Sequence, residues 1–173
     1  MRLENLKKSL EVFRDAVIQQ AKLNLKGQNK VSSGNLYNSI KGSEVKVSAN
    51  SIEFSIEMED YGTFIDKGVN GKKSVYTTPY SYKDKMPPPS KLDKWIVKRG
   101  IAPRDKNGKF IDRKSLQFAI AKSIFNNGIK PSLFFTKPFE EQYKKLEGQL
   151  DNILFRDAEE MIQFIAKQNF KKK

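Results

Sequence analysis

The hydrophobic pattern of this chain changes its period along the length, and that change constrains the fold more than any other feature. From Leu3 to Leu25, apolar residues recur at steps of three and four, as on one face of a helix. Over residues 45–58 they alternate with polar residues, which is typical of strands with one buried face. The pattern therefore predicts an α+β fold, in which a small, mainly antiparallel sheet with a hairpin at 44–58 packs with a long N-terminal helix and several further helices.

The second half of the chain returns to helical spacing. We expect helices at 90–100, 114–127 and 138–168, the last with a break near residues 155–157. Residues 61–65 fit either a short helix or a continuation of the preceding strand. Because helices dominate the pattern, the small sheet is expected to be covered mainly by helices.

Length and composition limit what the chain can be. Its 173 residues, 38% of them hydrophobic, are enough to bury one core of ordinary size, so we predict a single domain over 1–173. Histidine and cysteine are both absent, which removes the commonest general base, the commonest zinc ligands and every thiol nucleophile. No stretch approaches membrane-spanning length, and the start lacks the apolar core of a signal peptide. A soluble cytoplasmic product without a membrane partner is therefore expected.

Three segments are predicted to lack regular structure. Prolines and a loss of periodicity predict an extended loop or arm over 70–89, which is either disordered or functional. Residues 102–113 are predicted to form a basic loop around the turn dipeptide Asn107-Gly108. The last residues, 169–173, are predicted to be a frayed basic tail.

The net charge of +13 is concentrated in one part of the sequence. Residues 91–115 carry nine basic and three acidic side chains. Such a segment attracts phosphates by releasing their counterions, but it better suits a solvated surface or an acidic protein partner. Charge alone does not decide between these alternatives.

The local acidic cluster is the one candidate for metal chemistry. Glu57, Glu59 and Asp60 follow one another closely enough to bind Mg²⁺, as nuclease carboxylates do. However, Glu57 and Glu59 alternate with Ile56 and Met58, so they are better interpreted as the solvent face of the hairpin. We therefore assign no catalytic, cofactor-binding or metal-binding residue and do not expect an enzyme.

The order of short sequence blocks is more informative than any one block. The order is an N-terminal helix, Ser33-Gly34-Asn35-Leu36 with Ser39-Ile40, a hairpin, the segment Asp60–Gly68, a Trp95 helix ending in Arg99-Gly100-Ile101, the segment Ala119–Ile124, and Phe134-Phe135 before the last helix. In this order the blocks resemble the neck and tail-component family of tailed bacteriophages, which includes head-tail joining and tail-completion proteins. The resemblance covers roughly residues 3–150.

This resemblance implies a structural protein of the virion rather than an enzyme. It implies a homo-oligomeric ring of about six or twelve copies at the neck or tail top, around the channel through which DNA leaves the head. The implied partners are the chain itself, the connector or portal-side proteins, the tail proteins and, transiently, genomic DNA. The implied location is the virion, and the host cytoplasm before assembly. No cofactor is implied.

Two sets of residues are candidates for contacts. The candidates for the subunit interface are mostly aromatic: Tyr61, Phe64, Gly68, Tyr76, Tyr80 and Tyr82. The first three equally suit a buried corner of the core. The candidates for the DNA path or an acidic partner are basic: Lys98, Arg99, Arg104, Lys106, Lys109 and Arg113. The alternative function is a nucleic-acid-binding protein of a mobile element that uses the basic segment 98–114.

Overall fold

Helices and short antiparallel strands make up the regular structure of residues 3–48 and 51–170, the part of the chain that this computed structural model describes. The helices are α1 (Glu4–Gly27), α2 (Asn35–Ser39), α3 (Tyr61–Lys67), α4 (Asp93–Lys98), α5 (Arg113–Asn127), α6 (Thr136–Glu147) and α7 (Leu150–Phe170). The strands are β1 (Lys41–Gly42), β2 (Lys46–Val47), β3 (Ile52–Glu53) and β4 (Ile56–Glu57). This confirms the predicted α+β fold with its long N-terminal helix, and residues 61–65 belong to a helix.

The chain divides into two compact units. Unit 1 comprises Met1–Asn24, Asn38–Met58 and Phe134–Lys173, and unit 2 comprises Leu25–Tyr37 and Glu59–Leu133. Each unit therefore contains segments that are distant in the sequence. The single domain expected over the whole chain stays a prediction.

The core of unit 1 is built on α1. Phe13, Val17 and Ala21 are spaced by four residues and are buried, as the helical pattern predicts. The Phe13 ring meets the rings of Phe54 and Phe139 edge to face, with centroids 6.0 and 5.4 Å apart. This aromatic cluster joins the first helix to the hairpin and to α6.

The hairpin of unit 1 contains a bulge that the alternating pattern does not reveal. β1 pairs antiparallel with β4, and β2 pairs antiparallel with β3. Between these two ladders, residues 43–45 lie opposite residues 54–55, so the first strand carries one extra residue. Val45 within the bulge is buried, whereas Val47 beyond it is exposed. Asn50, in the middle of the predicted hairpin, lies outside the described residues.

The C-terminal helices of unit 1 differ from the expected single helix over 138–168. The interruption falls at residues 148–149, between α6 and α7, and the break expected near residues 155–157 is wrong because α7 is continuous there. Asp157 in the middle of α7 is buried and caps α1: its carboxylate accepts hydrogen bonds from the backbone N–H groups of Asn5 and Leu6, at 2.9 and 3.0 Å.

The last helix reaches into the predicted basic tail. α7 runs to Phe170, and residues 171–173 lie outside the described residues, so the frayed tail over 169–173 stays a prediction. The helical spacing of α7 simply continues to this point, since nothing in its last turn breaks a helix.

Unit 2 is held together by a close backbone crossing. Val69 and Ile129 exchange two backbone hydrogen bonds of 2.9 and 2.8 Å, so the chain after α3 lies against the chain after α5. Three glycines permit this approach, because a Cβ atom at any of them would collide with a backbone carbonyl oxygen. The added Cβ would lie 2.5 Å from Ile129 O at Gly68, 2.3 Å from Asn126 O at Gly71 and 2.1 Å from Val69 O at Gly128. The crossing fixes where α3 ends relative to α5.

Candidate interaction surfaces

A short helix presents the aromatic residues of unit 2. Tyr61, Phe64 and Ile65 in α3 are spaced by three and four residues, so they share one face. Tyr61 and Phe64 remain 41% and 42% exposed, which is unusual for side chains of this size. They therefore form a surface rather than the buried corner that also fitted the sequence.

Asn70 organises the segment that faces α3. Its side-chain oxygen accepts the N–H of Tyr76, and its side-chain amide donates to Thr78 O at 3.2 Å. Its backbone N–H donates to Tyr80 O at 2.8 Å, and its carbonyl accepts the N–H of Tyr82 at 2.9 Å. Four hydrogen bonds from one residue close residues 70–82 into a folded loop, so this part of the expected arm does not extend away from unit 2.

These two elements enclose a groove, which we call the aromatic groove. Its volume is about 640 Å³, within the range of protein binding sites. Its lining residues are Tyr61, Phe64, Ile65, Val69, Pro79, Tyr80, Ser81, Tyr82, Lys83 and Ile129. The Phe64 and Tyr80 rings pack edge to face with centroids 4.7 Å apart, which ties the loop to the helix. The groove is therefore mostly apolar and carries one cation, Lys83.

Tyr82 is half-buried in this lining. Its ring is tilted against that of Phe125, at 6.4 Å between centroids. Burial raises the pKa of the Tyr82 hydroxyl above its ordinary value, because the phenolate would lose solvation there. Burial in the groove therefore favours the neutral phenol of Tyr82 over the phenolate.

Two of the six predicted interface residues have structural positions instead. Gly68 is buried at the backbone crossing and offers no surface to a partner. Tyr76 is half-buried, and its hydroxyl donates to Asn127 O at 3.2 Å, fastening the loop to the end of α5. The other four, Tyr61, Phe64, Tyr80 and Tyr82, come together in the aromatic groove.

The basic candidates of unit 2 do not form one uniform patch. Arg99 donates to the side-chain oxygen of Asn29 at 2.8 Å and also to its carbonyl, so it holds the turn after α1. Arg113 lies 3.7 Å from the carboxylate of Asp93. Both guanidinium groups therefore have partners within unit 2.

The basic loop 102–113 folds into a small hairpin-like turn. Arg104 and Phe110 form an antiparallel bridge, and Gly108 N–H donates to Asp105 O at 3.0 Å, which confirms the predicted turn at Asn107-Gly108. The Arg104 guanidinium covers the Phe110 ring, 3.8 Å from its centroid. One face of the ring is therefore already occupied.

Three lysines of the basic set are exposed and lack a carboxylate partner within 4.0 Å among the described residues. They are Lys98 at the end of α4, and Lys106 and Lys109 on the 104–110 turn. These are the basic candidates best placed to meet phosphates or an acidic partner.

A second apolar surface lies on α7 and was missed in the sequence. Its exposed large apolar residues are Leu150, Leu154, Phe155, Met161, Ile162, Phe164 and Ile165. Phe155 and Ile162 are the most exposed of them, at 69% and 65%. Phe155 and Ile162 lie two turns apart and form a second apolar stripe beside the one through Leu154 and Met161. That second stripe was the sequence signal that could have identified the surface.

The described residues contain no group of three or more carboxylates that could hold a metal ion, and Glu57 instead lies 3.6 Å from the Lys41 ammonium. Within the same ranges, no helix combines the length and apolar character needed to cross a bilayer. No protein-family model, curated protein or solved structure matches this chain.

Proposed function

We propose that this chain is a structural virion protein of a tailed bacteriophage, forming a ring at the neck or tail top that joins head to tail around the DNA exit channel. The order of the sequence blocks supports this proposal. The ring would contain about six or twelve copies, contact connector or portal-side proteins on one side and tail proteins on the other, and assemble from chains in the host cytoplasm.

One observation carries the proposal: the chain exposes two different apolar surfaces. The aromatic groove of unit 2 and the exposed face of α7 in unit 1 differ in shape and in residues. Large exposed apolar surfaces commonly mark protein interfaces, and aromatic side chains dominate the binding energy of such interfaces. A subunit that carries two different surfaces can bind one neighbour with each, and such head-to-tail contacts close into a ring when the rotation closes.

In this proposal the protein works by shape and symmetry and carries out no reaction. The groove is preorganised by the four hydrogen bonds of Asn70 and by the Phe64–Tyr80 ring contact. Preorganisation lowers the entropic cost of association, because fewer side chains and loops have to be ordered when the neighbour arrives. Lys98, Lys106 and Lys109 would face DNA in the channel or an acidic neighbour.

The exposure of these three lysines favours the second candidate function, a nucleic-acid-binding protein of a mobile element. That function requires tight, salt-dependent binding by the isolated monomer. It does not require either apolar surface.

Light scattering on a size-exclusion column, at low and high salt, tests the two functions together. The neck function predicts that the measured mass is a multiple of the 19.9 kDa chain mass, or that the protein is a monomer that does not bind short duplex DNA at physiological salt. A monomer that binds the duplex and is released by salt would contradict it. In that case, replacing Lys98, Lys106 and Lys109 with Gln should abolish binding, whereas the same change at the exposed Lys8, Lys46 and Lys144 should not.

A further inference from the structure

Charge is divided unequally between the two units. Unit 2 carries 18 basic and seven acidic side chains, a balance of +11 out of +13 for the whole chain. In contrast, α7 carries four acidic and two basic side chains, a balance of −2; Asp157 is buried at the start of α1, so the exposed acids are Asp151, Glu159 and Glu160. A basic chain thus contains one acidic helix, and that helix bears the exposed apolar surface of unit 1.

The outermost ridge of α7 combines apolar and acidic side chains. Phe155, Glu159 and Ile162 are spaced by four and three residues, so they follow one another along one face. Phe155 and Ile162 are separated by about 10 Å along the helix axis. Glu159 therefore lies between two apolar side chains that project into solvent.

The aromatic groove offers the complementary features. Its walls are aromatic and aliphatic, and Lys83 is the one charged residue in its lining. Neither Lys83 nor Glu159 has an ion-pair partner within 4.0 Å among residues 3–48 and 51–170. Both charges are thus available to an intermolecular partner.

From this complementarity, and building on the proposed ring, we infer that α7 of one copy docks into the aromatic groove of the next copy. Phe155 and Ile162 enter the groove, and Glu159 pairs with Lys83 at its rim. Apolar anchors in a pocket supply most of the binding energy, while a rim charge pair fixes the register and rejects wrong pairings. The occupant is a second copy because the acidic helix and the basic, groove-bearing unit belong to the same sequence.

Two one-sided variants test this contact. The helix variant Phe155→Ser with Ile162→Ser keeps its groove, and the groove variant Phe64→Ser with Lys83→Glu keeps its helix. Each should be a 19.9 kDa monomer by light scattering, and an equimolar mixture should form a 1:1 dimer, since one intact contact remains. Wild-type circular dichroism spectra for both variants would show that they are folded.

Exchanging the charges of Glu159 and Lys83 gives a second test, in which the apolar side chains of the contact stay unchanged. Glu159→Lys and Lys83→Glu should each raise the concentration needed for half-assembly by about tenfold, because a like-charge pair replaces an ion pair. The double variant should restore assembly, and Glu147→Lys on the exposed face of α6 should leave it unchanged.

The outcomes separate this inference from the proposed function. A mixture that stays monomeric, variants that keep the wild-type mass, or a wild-type chain that is itself monomeric would overturn the docking. If the docking is overturned but the wild type forms a ring, or is a monomer that does not bind DNA, the neck function stands without this contact. A monomer that binds duplex DNA would overturn both.

Discussion

The two units of this protein are stabilised in different ways. Unit 1 depends on side chains: Phe13 packs against Phe54 and Phe139, and Asp157 caps α1. Unit 2 depends more on the backbone, since glycines let two chain segments touch at Val69 and Ile129. Units of similar length can thus be ordered either by a periodic apolar stripe or by a tight backbone crossing with polar loops.

The units also differ in charge and surface. Unit 2 carries nearly all of the net positive charge and the aromatic groove, whereas unit 1 carries the acidic helix α7. A surface rich in one charge disfavours contact with a copy of itself and favours contact with the opposite charge. This asymmetry favours contacts between unlike surfaces of neighbouring copies.

The largest expected effect is in the core of unit 1. Phe13→Ala should lower the free energy of unfolding by about 4 kcal/mol, because it opens a cavity and removes two ring contacts. Val12→Ala, at a 70% exposed position in the same helix, should change it by less than about 0.5 kcal/mol. Denaturant unfolding measures both values. Similar values for the two variants would contradict the side-chain account of unit 1.

The next effect concerns the crossing in unit 2. Gly128→Ala should lower the free energy of unfolding by about 3 kcal/mol, because φ is +70° and the new Cβ would meet Val69 O. The matched control is Gly108→Ala, whose φ of +79° costs about 1 kcal/mol but whose Cβ meets no atom within 4 Å. Hydrogen exchange should localise the loss to residues 59–133. Equal losses at the two glycines would show that the crossing is not tight.

A smaller effect is expected at the cap of α1. Asp157→Ala should cost about 1 to 2 kcal/mol, since two backbone N–H groups at the start of the helix lose their acceptor. Asp157→Asn, which keeps one acceptor oxygen, should cost less. Faster hydrogen exchange in the first turn of α1 would confirm the mechanism, and unchanged exchange there would exclude it.

The smallest effect concerns pH and the groove of unit 2. Burial raises the pKa of Tyr82 in the folded chain, so the unfolded chain ionises first as pH rises. The stability contributed by neutral Tyr82 is therefore fully present below the ordinary tyrosine pKa and is lost as pH rises through the folded value. Tyr82→Phe should flatten the pH dependence of the unfolding midpoint in this alkaline range, whereas Tyr143→Phe, at an exposed position in α6, should not.

The sequence predicts the elements governed by side-chain periodicity. The stripe through Phe13, Val17 and Ala21 gives α1 and its buried face. The spacing of Leu92, Trp95 and Ile96 likewise predicts one shared buried face. Ile96 is buried, but Trp95 is 38% exposed, because a helix of six residues has no long stripe to fix its orientation.

The candidate site is only partly predictable from sequence. Aromatic residues in a proline-rich loop indicated a contact surface, and two of them, Tyr80 and Tyr82, meet Tyr61 and Phe64 of α3 in the groove. The role of Asn70 was hidden, since it arises from hydrogen bonds to residues six to twelve positions later, which no hydrophobic period encodes. The second apolar stripe of α7 is present in the sequence, but its exposure is not, because exposure depends on which helix face packs against a partner.

The most direct test of contact between unlike surfaces is zero-length cross-linking of carboxylates to lysines in a mixture of ordinary and ¹⁵N-labelled chains. The account predicts a Glu159–Lys83 cross-link that joins an ordinary chain to a labelled one. The absence of mixed-isotope cross-links, or mixed links that join α7 only to α7, would contradict it.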